Sequence, residues 1–280
     1  MRCDSHVHIV GAPDRYPQLA ERTYFADVAT LERLESVSAA RAIRHFVIVQ
    51  PSFYGVDNSL LLDSLDALGG RGRGVAVVDP ELTSARTLSS MARQGVRGLR
   101  LNLYSPLREK LPLAARIEAV GSLAHELNWH IEIVAALKML SDNAALLASS
   151  RVPLVIDHYG LYAGFRPDQS ESVALLKLLA MPFVWIKLSA PYRVSGNSSA
   201  TKPDPAWLAA IVAAAQDRCV WGSDWPHTPP HEAQMGSAVL GAYRNLRYET
   251  LVDDFVEAIG SAELAERILS DNPTRLYGLE

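Results

Sequence analysis

The sequence predicts an α/β protein with a (β/α)8 TIM barrel fold, built as a single domain over residues 1–280. Eight short apolar runs rich in β-branched residues recur along the chain, and segments with helical spacing or turn residues separate them. The runs are almost continuously apolar, which is typical of parallel strands covered by helices on both faces. A chain of this length with 49% hydrophobic residues can also bury a large core. The alternative is an open, doubly wound sheet.

The predicted strands follow one another along the whole chain, and they are residues 3–9, 45–50, 74–79, 96–104, 129–134, 153–157, 183–189 and 219–223. Apolar residues from Leu113 to Leu127 recur in steps of four and three, so they predict a helix with one buried face. Asp204 followed by Pro205 predicts a helix start, because aspartate caps helices and proline is favoured in the first turn. Residues 192–203, rich in Ser, Gly and Asn, predict a loop on the catalytic face, with a mobile lid as one reading.

Composition and charge exclude several classes of protein. The 27 Lys and Arg against 31 Asp and Glu leave a net charge of −4, without the basic excess of a nucleic-acid-binding protein. No apolar run approaches the roughly 18 residues that a membrane-spanning helix needs, so we expect a cytoplasmic protein without a membrane partner. Cys3 and Cys219 form no CxxC spacing and are expected to be reduced thiols. The oligomeric state stays open, including a homo-oligomer.

Ionisable residues stand at the ends of three predicted strands. The first strand carries His6 and His8, which point to the same face because side chains alternate along a strand. The sixth ends in "IDHYG" with His158, and the eighth in "WGSDWPH" with Asp224. The carboxyl ends of barrel strands surround one pocket, so we expect the four side chains to meet there. Such a cluster can hold a divalent metal, or activate water without one.

These motifs, together with the terminal "DNPTRLYG", resemble the amidohydrolase-related family of the amidohydrolase superfamily. The stretches "VQPSFYGVDN" at 49–58, "VRGLRLNL" at 96–103 and "IKLSAPYRVS" at 186–195 are similar to its lactonase branch, which includes 2-pyrone-4,6-dicarboxylate lactonase and the sugar-lactone hydrolases. The resemblance runs nearly end to end. It implies a catabolic hydrolase that opens a small lactone by adding water to the ring carbonyl.

The resemblance also implies a role for individual residues. Asp224 is expected to be the general base, while His6, His8 and His158 polarise the carbonyl or position the water. Contacts with a small-molecule substrate are predicted at Tyr24, Ser52, Arg100, Tyr192, Arg193 and His227. The arginines point to an anionic substrate, since a guanidinium can bind a carboxylate through two hydrogen bonds.

Departures from the branch bear on the substrate. Leu161 stands where the dicarboxylate lactonase has an arginine, and Ser105-Pro106 replaces a second one, with Arg108 the nearest candidate to compensate. Fewer cationic contacts imply fewer carboxylates on the substrate. We therefore expect an anionic or polyhydroxylated lactone other than 2-pyrone-4,6-dicarboxylate.

The metal requirement separates the competing functions. A zinc ion, if one is bound, is expected at His6, His8, Glu132 and Asp224. Because the lactonase branch includes metal-independent members, we expect no obligatory cofactor, with one divalent ion as the alternative. A metal-dependent decarboxylase of an aromatic or muconate-type acid is the second functional hypothesis. The third is a non-catalytic metabolite-binding barrel, which predicts damaged catalytic positions, whereas all four are intact here.

Overall fold

The computed structural model describes residues 1–104, 112–229 and 236–279. Eight parallel strands of the described chain form one sheet, in which each strand pairs with the next along the sequence. These strands, β1 to β8, are Arg2–Val7, Ile43–Val49, Gly72–Ala76, Val96–Asn102, His130–Val134, Leu154–Ile156, Val184–Ser189 and Cys219–Gly222. Each overlaps one of the eight predicted runs.

The sheet closes on itself beyond the end of β8. Val7 forms a parallel bridge with Trp225, and the His8 amide donates to the Trp225 carbonyl at 2.8 Å. The Asp224 amide likewise donates to the His6 carbonyl at 2.9 Å. A doubly wound sheet would reverse its strand order and keep two open edges, so the (β/α)8 prediction is confirmed.

Helices follow most of the strands and cover the outside of the barrel. The described α-helices, α1 to α12, are Leu31–Ser38, Ser59–Leu68, Ala85–Arg93, Leu113–Leu127, Leu137–Asp142, Ala144–Ala148, Ser170–Leu179, Pro191–Val194, Pro205–Ala215, Tyr248–Ile259, Ala262–Glu266 and Asn272–Tyr277. Helix α4 buries Ile117, Val120 and Ala124, as its spacing predicts. The Asp204 carboxylate accepts from the Trp207 amide at 2.9 Å and caps α9. In the ranges that the structure covers, no helix is long and apolar enough to cross a membrane.

Two local features differ from the sequence predictions. Phe25–Ala26 pairs with Leu240–Gly241 in a two-stranded sheet, and strands of two residues are too short to produce a periodic pattern. The loop predicted at residues 192–203 starts late, because α8 occupies its first three positions. Pro191 stands in the first turn of α8, where its fixed φ is favourable, and Tyr192 is buried.

Candidate active site

The ends of β1, β6 and β8 bring together the four predicted catalytic side chains, here called the pocket cluster. The Nε2 atoms of His6 and His8 lie 3.3 Å apart. The Oδ1 atom of Asp224 lies 3.7 Å from His6 Nε2, 3.6 Å from His8 Nε2 and 4.0 Å from His158 Nε2. All four residues are buried. The sequence therefore predicts a cluster that the structure contains.

The backbone at this end of the barrel adopts conformations that are unusual for residues with a Cβ atom. His158 and Asp224 have φ values of 50° and 58°, and Tyr159 and Leu161 have values of 54° and 43°. This left-handed region costs about 1 kcal/mol or more per residue outside glycine. Such strain is common at functional sites. Here it turns the His158 and Asp224 side chains towards the cluster.

Asp224 has one oxygen held by the protein and one that is not. Its Oδ2 accepts a hydrogen bond from the Tyr192 hydroxyl at 2.7 Å and another from Arg193 Nε at 2.7 Å. Its Oδ1 has no hydrogen-bond partner among the described residues. Burial raises the pKa of Asp224, but Arg193 and His158 outweigh it and hold the pKa well below its usual range. Asp224 is thus a carboxylate at neutral pH, with one oxygen available to a water molecule.

The three imidazoles of the pocket cluster are kept neutral. Burial is the main cause that lowers the pKa of His6 and His8, and it lowers the pKa of His158 to about 4. His8 Nδ1 lies 2.7 Å from the Val49 carbonyl oxygen. A carbonyl only accepts, so Nδ1 carries the proton and Nε2 keeps its lone pair. His158 Nδ1 pairs with Ser189 Oγ at 2.9 Å.

A cavity of about 250 Å³ opens above the cluster. This volume lies just below the usual range for drug-sized ligands, roughly 300–1,000 Å³, so it suits a small metabolite. Five of the six predicted substrate contacts line it, namely Tyr24, Ser52, Arg100, Tyr192 and Arg193. His227, the sixth, lies behind Tyr192, with ring centroids 6.0 Å apart and edge-to-face packing.

Three arginines give the cavity a cationic lining: Arg100, Arg193 and Arg244. Arg193 Nη2 donates to Thr228 Oγ1 at 2.8 Å. The Arg244 guanidinium lies 4.6 Å from the centroid of the Tyr192 ring and donates to the Thr228 carbonyl. The Nε atoms of Arg100 and Arg244 are buried and lack a hydrogen-bond partner within the part of the chain that the structure describes. These groups can bind an anion.

Sequence reasoning missed Arg244 and Thr228, because both lie in connections after the last strand and belong to none of the strand-end motifs. Of the residues considered from sequence, Ser105, Pro106 and Arg108 lie outside the described residues.

Beneath the pocket lies a second ionisable group, here called the sealed cluster, with the members Lys187, Glu132, Asp157 and His130. Lys187 Nζ donates to Glu132 Oε2 and lies 3.7 Å from Asp157 Oδ1. It also lies 3.2 Å from His6 Nδ1, which connects the two clusters. Burial and the nearby Asp157 raise the pKa of Glu132, and the Lys187 ammonium opposes this shift by stabilising the carboxylate. Burial also acts on Asp157, yet His6 and Lys187 bring its pKa below the usual range.

Lys187 was also missed. It stands in the middle of β7, away from the strand ends where the sequence predicts the site. A lysine within the apolar run "WIKLS" was the available indication, since lysine is almost never fully buried unless it is paired.

The described residues contain two groups with potential ligand atoms within 4.8 Å of one another, which are His6 with His8 and Asp224, and His6 with Asp157 and His158. Their spacing suits a divalent ion. The protonation of His6 does not suit such an ion, because its Nδ1 accepts a hydrogen bond from Lys187. In the neutral ring Nε2 then carries the proton and has no lone pair for a metal. The predicted ligand Glu132 is held by Lys187 through Oε2. As it stands, this donor set does not fit a metal ion at His6 Nε2.

Comparisons with known proteins agree with this architecture. The family model described as Amidohydrolase matches residues 3–279. The chain is 29% identical to 4-sulfomuconolactone hydrolase of Hydrogenophaga intermedia, over 98% of this chain and 88% of that protein. It is 31% identical to 2-pyrone-4,6-dicarboxylate hydrolase of Comamonas testosteroni, over 98% and 89%. A crystal structure of a probable 2-pyrone-4,6-dicarboxylic acid hydrolase from Acinetobacter baumannii, with citric acid bound, superposes with a TM-score of 0.77 at 26% identity and covers 99% of both chains.

Proposed function

This chain belongs to the amidohydrolase family, and on that premise we propose that it is a lactonase, a hydrolase that opens a small lactone with Asp224 as the general base. The observation that carries the proposal is the buried Asp224 Oδ1, which has no hydrogen-bond partner among the described residues and faces three imidazoles. A carboxylate oxygen in this position can accept a proton from water at the floor of the cavity.

The attacking water is held by two acceptors. Asp224 Oδ1 and His8 Nε2 lie 3.6 Å apart, and each presents a lone pair, so one water molecule can donate a proton to each. The oxygen lone pair of that water then points away from both, towards the substrate carbonyl. Pre-orientation of this kind lowers the entropic part of the barrier.

The reaction proceeds by addition and elimination. The water oxygen bonds to the ring carbonyl carbon while Asp224 takes a proton. The C–O bond to the ring oxygen then breaks, and that proton passes from Asp224 to the leaving alkoxide, which gives a hydroxy acid. The low pKa of Asp224 suits a base that gives its proton back at once. Donors directed at the carbonyl oxygen stabilise the negative charge that develops on it, and we assign this role to His6 Nε2–H, together with His158.

The substrate that fits is a small anionic lactone. The arginines of the cavity supply the positive charge for a carboxylate or a similar group, and Tyr24 and Ser52 supply hydroxyls. Two relatives bear the names of hydrolases of a sulfonated and a dicarboxylated lactone, and one related structure contains citric acid, also an anion. Leu161 adds an apolar surface to the cavity, which supports a substrate with fewer carboxylates.

The proposal can be tested by measuring the metal content of the protein and its hydrolysis of a panel of muconate-type and sugar lactones. Each lactone is assayed with and without chelator. We expect chelator-resistant hydrolysis that releases one proton per ring opened. Release of CO2 by a zinc-loaded enzyme would identify the decarboxylase instead, and binding without turnover would identify a metabolite-binding barrel. A cytoplasmic location, a catabolic role and a possible homo-oligomer remain predictions from the sequence.

A further inference from the structure

We propose that Lys187 is a positioning residue that fixes His6 as its Nε2–H tautomer, so that the imidazole presents a hydrogen-bond donor beside His8 and Asp224 at the cavity floor instead of offering a lone pair to a metal ion. The tautomer is a property of the substrate-free protein. Only its kinetic consequence rests on the proposed function.

The contacts of His6 Nδ1 determine where the proton of this ring lies. Three groups approach this atom: Lys187 Nζ at 3.2 Å, Asp157 Oδ1 at 3.3 Å and Glu132 Oε1 at 3.7 Å. Neither of these carboxylate oxygens has a hydrogen-bond partner among the residues that the structure covers, so the lysine contact alone has hydrogen-bonding geometry. An ammonium group donates and cannot accept. Nδ1 must therefore be the acceptor, and the proton of the neutral ring lies on Nε2.

The contacts of His8 independently require a proton on His6 Nε2. The Val49 carbonyl requires a proton on His8 Nδ1, so His8 Nε2 is an acceptor. His6 Nε2 lies 3.3 Å from that acceptor in the substrate-free protein, a contact that the attacking water and the substrate carbonyl replace when they bind. The pair forms a hydrogen bond only if His6 supplies the proton. Lys187 and Val49 thus direct one chain of hydrogen bonds from the sealed cluster to the cavity.

Two buried carboxylates allow an ammonium group at this depth in the barrel. Lys187 is fully buried, and an isolated buried charge is very costly. Glu132 and Asp157, also fully buried, surround it with negative charge. The Lys187 ammonium therefore donates to His6 Nδ1 from below. The other ring nitrogen, Nε2, lies beside His8 and Asp224 and carries the proton. The arrangement takes the place of a metal at His6.

Nitrogen-15 NMR of histidine-labelled protein without substrate tests the tautomer directly. We expect the His6 pattern of a neutral ring protonated at Nε2, with the signal assigned by its loss in His6→Asn. A ring protonated at Nδ1 in the unsubstituted protein would overturn the proposal, as would stoichiometric zinc bound through His6. Because no lactone is present, this result is independent of whether the chain is a lactonase.

Lys187→Met tests the role of the lysine itself. We expect the His6 signals to lose the pure Nε2–H pattern and kcat to fall about a hundredfold, the usual cost of a lost oxyanion donor, with KM changed by less than about threefold. A variant that keeps both the pattern and wild-type kcat would refute the inference.

Two further variants keep this test interpretable. Lys177→Met makes the same change at an exposed position on α7 and should alter neither the tautomer nor the kinetics. Lys187→Met/Glu132→Gln removes one charge of each sign, so it provides a folded protein should the single variant prove unstable. It should show the same loss of the His6 pattern, and retention of that pattern would equally refute the inference.

Discussion

The pocket cluster and the sealed cluster lie one above the other in the same barrel, and both are made of buried ionisable side chains. They differ in how their charges are satisfied. In the sealed cluster the charged groups face one another, as Lys187 does with Glu132 and Asp157. In the pocket cluster, Asp224 is held through one oxygen, and the structure describes no hydrogen bond to the other. Carboxylate oxygens without a hydrogen-bond partner among the described residues occur in both clusters, but of Asp224, Glu132 and Asp157 it is Asp224 that lines the cavity.

The comparison shows that burial alone does not mark a catalytic group. Burial raises the pKa of the Glu132 carboxyl, yet this residue lies outside the cavity lining of the described chain. The pKa of Asp224 is shifted in the opposite direction, chiefly because the Arg193 guanidinium stabilises its charge. We infer that the sealed cluster supports and orients, whereas the pocket cluster reacts. The two should therefore respond differently to substitution.

The largest expected effect is on stability. Lys187→Met leaves the buried carboxylates of Glu132 and Asp157 without their cation, and breaking a buried pair typically costs about 3–5 kcal/mol. Urea unfolding should show this loss of free energy, and Lys187→Met/Glu132→Gln should recover part of it. A single variant within about 1 kcal/mol of wild type would mean that the sealed cluster does not stabilise the barrel.

Asp224→Asn should affect turnover more than folding. Asparagine keeps the shape of the side chain but cannot take a proton from water, so kcat should fall at least about a hundredfold. Circular dichroism should show an unchanged fold. Asp63→Asn is the matched control, because Asp63 forms an exposed ion pair with Arg15 at 2.8 Å and should leave kcat unaffected. Wild-type turnover in Asp224→Asn would remove the general-base assignment.

The fold was largely readable from the sequence because parallel strands buried on both faces leave long apolar runs. The errors fall where that signal is weak. The Phe25–Ala26 strand is too short to show a period, and the tight turn into α8 depends on Ala190 adopting a φ of 54°. Left-handed backbone at a non-glycine residue has no clear sequence pattern.

Within the site, residues that belong to strand ends could be predicted and residues that arrive from elsewhere could not. His6, His158 and Asp224 stand in motifs at the ends of barrel strands, where the fold dictates their convergence. Arg244 enters from a connection after the last strand, and only the tertiary structure shows that it covers Tyr192. Lys187 is at a strand centre, where an apolar side chain is the usual expectation.

Arg244→Gln should change binding and spare the chemistry. Its guanidinium lines the cavity without contacting Asp224 or the imidazoles within the described structure. A lost charge-assisted hydrogen bond is worth about 1.5–3 kcal/mol, so KM for an anionic lactone should rise about tenfold or more, with kcat changed by less than about threefold. A neutral lactone should show little change. Arg166→Gln, at an exposed position, is the control. A fall in kcat with unchanged KM would instead place Arg244 in the reacting group.

The smallest expected effect is that of pH on kcat/KM, because His158 and Asp224 of the pocket cluster keep their charge state near neutral pH. Burial lowers the pKa of His158 to about 4, with Arg193 and Arg100 acting in the same direction and Asp224 and Asp157 opposing them. The pKa of Asp224 is lower than its usual range, so it stays ionised. Between pH 5.5 and 7 neither group changes charge, and kcat/KM should vary by less than about twofold. Activity should fall only as the pH drops towards 4, where His158 takes up a proton. A rate profile with an inflection between pH 6 and 7 would show that a histidine of ordinary pKa controls the reaction, and the neutral imidazoles of the pocket cluster could not then be its catalytic form.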